Sequence, residues 1–116
     1  MTRIEVIRHV TADPAGVALL LAEPAMWSDP IQLDHTWVVA PPHRAMDGFA
    51  STVEVTEPWG RLVTGELTVT PALDTGCEIR LVIRVPDRSV ARGVERSGVG
   101  FLALLAERAQ ARAFAA

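Results

Sequence analysis

The stretch CEIRLVIRVPDRSVARGVERSGVGFLALLAERAQARAFAA, residues 77–116, changes its hydrophobic period partway along. Cys77, Ile79, Leu81, Ile83 and Val85 alternate with Glu78, Arg80 and Arg84, the two-residue repeat of a strand with one buried face. Pro86-Asp87 interrupts the strand. Beyond it, Val90, Val94, Phe101, Leu104 and Leu105 share one stripe of a helical wheel, with Ser89 placed to cap. A one-faced strand followed at once by a long amphipathic helix predicts a sheet covered by that helix.

Three glycines complicate the helix. Glycine weakens a helix interior by roughly 1 kcal/mol relative to alanine. Gly98 lies near the apolar stripe, between Val94 and Phe101. It predicts either close approach of the helix backbone to the sheet or space left for a ligand. Gly93 and Gly100 lie toward the flank and fit a loosened N-terminal half beside a cavity mouth. The alternative start is Ser97, which would leave Gly93 in a loop. The common phase of Val90, Val94, Phe101 and Leu105 favours one continuous helix.

Working back from Cys77, short turns at EPWG and PALDTG separate alternating segments and require antiparallel hairpins. Arg61, Val63, Gly65, Leu67 and Val69 fall on one face of the first of these strands, and Phe49, Ser51, Val53 and Val55 on one face of the strand before it. SDPIQLDHTWVVAPP reads as an earlier strand, with Ile31, Leu33, His35, Trp37 and Val39 in phase. Asp47-Gly48 is a turn signal. RIEVIRHV is the first strand, with Ile4, Val6, Arg8 and Val10 on one side. Asp13 and Pro14 open a short helix as N-cap and first helical residue, and Pro24 closes it. The expected class is α+β, a single domain over residues 1–116. An antiparallel sheet of about five strands wraps a long C-terminal helix, in the order β-α-β-β-β-β-α.

Composition narrows the partners. The net charge is −3, and all 11 cationic residues are arginines scattered among acidic ones. Phosphate binding needs clustered positive charge, so nucleic acid is not expected. No apolar run reaches transmembrane length, and residues 1–14 lack the apolar core of a signal peptide. A lone Cys77 permits no internal disulfide; a cytoplasmic setting is expected. His9, His35 and His43 are well separated, so no metal site is expected, and no nucleotide loop or other cofactor motif is present.

Two segments carry a resemblance. IEVIRHVTADPAGVALLLAEPAMW (residues 4–27) is similar to a strand, Asp-Pro pair and helix ending near a tryptophan; GVGFLALLAERAQA (residues 98–111) is similar to a C-terminal grip helix. Together with the element order they resemble the helix-grip (SRPBCC) superfamily: polyketide cyclase/dehydrase-like proteins, birch-pollen-allergen-like proteins and START lipid-transfer domains. The resemblance implies a curved sheet around the last helix and a cavity for a small hydrophobic molecule such as a lipid or polyketide. Family members have six or seven strands. A five-strand version leaves three outcomes open: a small cavity, one open at an edge, or one filled by side chains. An exposed sheet edge would invite a homodimer.

The candidate ligand-lining residues are His35, Trp37, Phe49, Ser51, Arg61, Leu67, Gly98, Phe101 and Leu105. His35, on an apolar strand face, is a candidate to orient a ligand carbonyl or act as general base. The structural alternative is a buried histidine satisfied by the backbone. Trp37 lines the pocket or packs the core. Arg8 and Arg61 fall on inward faces, where either could hold a ligand carboxylate, or at solvated strand ends. Ser51 has no triad signature around it. Three functions follow: a carrier of a small hydrophobic ligand, a polyketide cyclase, aromatase or dehydratase, and a cavity-less interaction module.

Overall fold

The computed structural model describes residues 2–23, 35–58, 60–73 and 75–115. Strands β1 (Thr2–Val10), β2 (Thr36–Val39), β3 (His43–Ala45), β4 (Gly48–Thr56), β5 (Leu62–Pro71) and β6 (Cys77–Val85) form one sheet, with helix α1 (Pro14–Leu21) after β1 and helix α2 (Arg88–Ala115) at the end. The sheet order is β1-β6-β5-β4-β2, with β3 also on β4, and every pairing is antiparallel.

The sequence count of about five strands becomes six for a local reason. β2 and β3 run along the same side of β4, pairing Thr36 to Thr56 through Val39 to Val53, then His43 to Ala50 through Ala45 to Gly48. Between them lie Ala40, Pro41 and Pro42. Ala40 N–H still donates to the Thr52 carbonyl at 2.9 Å. The prolines have no N–H to give, so the ladder breaks there. The sixth strand is thus the continuation of one edge strand past two prolines. The hairpin signalled by Asp47-Gly48 exists, but its two connecting residues are Met46 and Asp47. Met46 takes the positive φ of 53°, and Gly48 is already paired with Ala45 in β4.

The inner face follows the alternation. Cys77, Ile79, Leu81, Ile83 and Val85 are all fully buried, as are Val53, Val55 and Leu67. In β1, Ile4 and Val10 are buried while Arg8 is exposed. α2 packs over β1 and β6; α1 packs over β4 and β5 and touches α2. Val90, Val94, Phe101 and Leu105 are buried as the wheel requires, but Leu102 is also fully buried and Leu104 only half so. The helix is continuous, and its cap is Asp87 rather than Ser89 or Ser97. Asp87 Oδ1 accepts from the N–H of Ser89 at 2.9 Å, from that of Val90 at 3.3 Å and from the Ser89 hydroxyl. These bonds, the Ser89 hydroxyl first, hold its carboxyl below the ordinary aspartate range. Asp13 caps α1 as expected, accepting from Ala15 N–H at 3.2 Å. The far end of α2 is tied back by Arg112 Nη2 to Glu23 Oε2 at 2.6 Å and by Gln110 Oε1, which accepts from Thr11 N–H at 3.3 Å. Among the described residues no helix is long and apolar enough to cross a membrane.

Two tests follow. Leu81→Asp would place a charge where the inner face meets α2; the protein should lose its cooperative melt and near-UV circular dichroism. Burial, with a smaller contribution from the Asp13 carboxylate, pushes the Cys77 thiol up from 9.0 to about 11. The unfolded chain therefore releases this proton first. Stability from this source is complete below pH ~9 and falls as pH rises toward 11. Cys77→Val should flatten that alkaline decline in melts taken from pH 8 to 11.

Candidate functional site

β2 places its alternate residues inward. Thr36 and Val38 are exposed, while Trp37 is 2 % exposed and His35, just before the strand, 7 %. The Trp37 ring stacks on Phe101 of α2, with centroids 4.5 Å apart and planes within 2°. Its Nε1–H donates to Ser97 Oγ at 2.9 Å, so the one polar atom of the indole is satisfied inside the core. A Cβ on Gly98 would stand 3.1 Å from Leu81 Cδ2, 3.7 Å from Val6 Cγ2 and 3.8 Å from Trp37 Cη2. Of the two roles left open for Gly98, these distances fit close approach, with the helix set against side chains of β1, β2 and β6. Phe101, Leu105 and Leu67, all fully buried, belong to the same packed core.

Toward the N-terminal half of α2, Val90 and Val94 are buried and Gly93 faces His35. Among the described residues, a Cβ on Gly93 would have the His35 ring within 4 Å, with Cε1 and Nε2 each at 3.9 Å. Glu57 lies on this side as well. It follows Val53 and Val55 in the inward phase of β4 and is 2 % exposed. Thr36 pairs with Thr56, so His35 and Glu57 stand one step beyond that pair on adjacent strands, both turned in. Ser51, two residues before Val53, is also 2 % exposed. Among the described residues, neither Glu57 carboxyl oxygen nor the Ser51 hydroxyl has a hydrogen-bond partner. Leaving such a group unmade costs about 1–3 kcal/mol, so each calls for an explanation.

The sequence missed Glu57 because EPWG reads as a turn. The turn is real: Glu57 N–H donates to the Arg61 carbonyl at 2.8 Å, and Gly60 N–H to the Glu57 carbonyl at 2.8 Å. The available signal was phase, since position 57 continues the row 51, 53 and 55. Arg61 does not point inward as the alternation suggested. It precedes β5 in the turn, where the ladder no longer dictates its facing; its side chain is 46 % exposed and reaches Asp87 Oδ2 at 3.8 Å. Phe49 is half-buried against the core, with the Arg44 guanidinium 5.8 Å from its ring centroid. Trp27, Trp59, Ile31, Leu33 and Pro24 lie outside the described residues. On the opposite, solvent-facing side of the sheet, Thr52, Thr64, Glu66, Val82 and Arg84 line an open depression around Gly65.

The architecture defines a class: an α+β protein with one antiparallel sheet and a long C-terminal helix on its inner face. Solved structures share it. Protein MLL2253 from Mesorhizobium loti aligns at a TM-score of 0.66 with 17% identity, over 96% of this chain and 98% of that one. Protein NE0264 from Nitrosomonas europaea aligns at 0.55 with 11% identity, over 98% and 97%. Protein CV1439 from Chromobacterium violaceum aligns at 0.50 with 17% identity, over 92% and 96%. At these identities the likeness concerns the fold alone, across nearly the whole of each chain. No family model matches the sequence, and neither does any curated protein.

The Trp37–Ser97 bond can be isolated. Ser97→Ala should cost about 1–3 kcal/mol by leaving a buried indole N–H unpaired. The same change made in a Trp37→Phe background should cost much less. Urea melts of the four proteins give the coupling directly.

Proposed function

We propose that the protein binds a small hydrophobic molecule against the inner face of β2 and β4, beside the N-terminal half of α2, in the manner of a helix-grip domain. The observation that carries this reading is the Ser51 hydroxyl. It is buried on an apolar sheet face and lacks a partner among the described residues. A bound molecule with one polar group would supply that partner. Ligand sites of this kind are mostly apolar, with a few placed polar groups. The inner wall of Val53, Val55 and Trp37 provides the apolar part. The long helix lies mainly over β1 and β6 and meets β2 at Trp37, while the short helix α1 lies over β4 and β5, so the proposed site falls where the two covers meet. The helix-grip resemblance of the opening and closing segments supports the same reading, and the fold shared with MLL2253 and NE0264 is compatible with it. The buried thiol of Cys77 supports a reducing, cytoplasmic setting.

Titration with a neutral fluorescent apolar probe, such as N-phenyl-1-naphthylamine, tests the reading. Binding should saturate at one probe per chain and perturb tryptophan emission. Trp37→Phe should remove most of that emission response while Trp27→Phe and Trp59→Phe retain it. Absence of saturable binding would overturn the proposal; loss of the response in Trp27→Phe or Trp59→Phe instead would move the site away from β2.

A further inference from the structure

Glu57 sets the chemistry of the ligand's polar end, and this inference rests on the binding site proposed above. A carboxyl group 2 % exposed, with neither oxygen hydrogen-bonded among the described residues, is among the costliest groups to leave in a protein interior. It is not stranded for want of a cation in the chain. Arg61, four residues on, sits in the same turn and sends its guanidinium outward to Asp87 at 3.8 Å. The backbone of Glu57 is held at both its N–H and its carbonyl by the 57–61 turn, so the side chain is directed rather than loose. It faces the interior at the end of the sheet where the His35 ring lies against Gly93 of α2.

We infer that Glu57 is the acceptor for a hydrogen-bond-donating, cationic head group, so that the site takes amphiphiles with an apolar body and an amine. Two carboxyl oxygens offer several acceptor positions and match an ammonium, which has three donors and no acceptor. A carboxylate ligand would meet a like group, and an alcohol would satisfy one oxygen at most through its single donor. The Coulomb term between amine and carboxylate is larger inside the protein than in water, so the preference is strongest for a head group that is drawn in and desolvated. The apolar body then enters between Val55 and Val53 of β4 and the elements packed over them, displacing the contacts that bury both side chains completely.

The test compares dodecylamine, dodecanol and dodecanoate, each below its micellar concentration, by calorimetry at pH 7. The wild-type chain should bind the amine at least about tenfold more tightly than the alcohol, and the carboxylate most weakly. Glu57→Gln and Glu57→Met should erase the amine preference while keeping affinity for the alcohol. Glu54→Gln, an exposed change on the same strand, should leave the preference intact and so controls for general charge. Thermal melts add a readout independent of ligand: relieved of an unpaired buried carboxyl, Glu57→Met should melt at or above the wild-type temperature. A marked fall would mean that Glu57 is a structural group and would overturn the inference. Equal binding of amine and alcohol by the wild type, or an amine preference that survives Glu57→Gln, would overturn it too, leaving the hydrophobic site standing. Failure of all three probes to bind would overturn both.

Discussion

The structure depends on covering one apolar sheet face, with α2 over β1 and β6 and α1 over β4 and β5. The face is uninterrupted along β6, where five alternate side chains from Cys77 to Val85 are fully buried. The helix packs tightly at Gly98, where a side chain would press on Leu81 and touch Val6 and Trp37. That approach fixes the neighbours on either side. Phe101, one turn on, lies flat on Trp37, and Ser97, one residue back, receives the indole proton. Helix, β1, β2 and β6 are thereby locked at one point, and the loss of helical propensity at a glycine is offset by the dispersion contacts made there.

The interior treats its polar atoms in two ways. Trp37 and Ser97 pair with each other across 60 residues of sequence, so both are desolvated without penalty to the core. Ser51 and Glu57 are equally buried and have no such arrangement among the described residues. The difference tracks distance from the tight contact. Ser97 and Trp37 flank Gly98, whereas Glu57 lies by the β4–β5 turn, at the end of the sheet where the His35 ring faces Gly93.

Most of the fold was legible because its two periods are clean. The β6 stripe, the Asp13-Pro14 helix start and the inward row of Ser51, Val53 and Val55 all follow from alternation or capping chemistry alone. The misreadings share a cause: each sits where local turn chemistry and long-range phase compete. Pro41-Pro42 looks like the end of a strand, yet β4 holds the chain in register beyond it. EPWG looks like solvent-facing turn, yet Glu57 keeps the inward phase. Arg61 has the inward phase on paper, yet the turn has released it to Asp87. The role of Gly98 was not decidable from sequence, because close approach and open space both ask for the same small residue and differ only in what stands opposite.

The broken edge beside β4 also limits what the sheet can become. A strand from another chain joins an edge by reading an unbroken row of alternating donors and acceptors. Here that row runs for four residues in β2, stops at two imino acids, and resumes for three in β3. Each piece is shorter than a usual strand. At the opposite border, β1 is long, but Arg3, Glu5 and Arg8, all exposed, crowd it with charge. The sheet therefore ends where the chain ends it. Among the described residues, both borders are therefore poor templates for pairing with a strand of another chain, without the sheet having to close into a barrel.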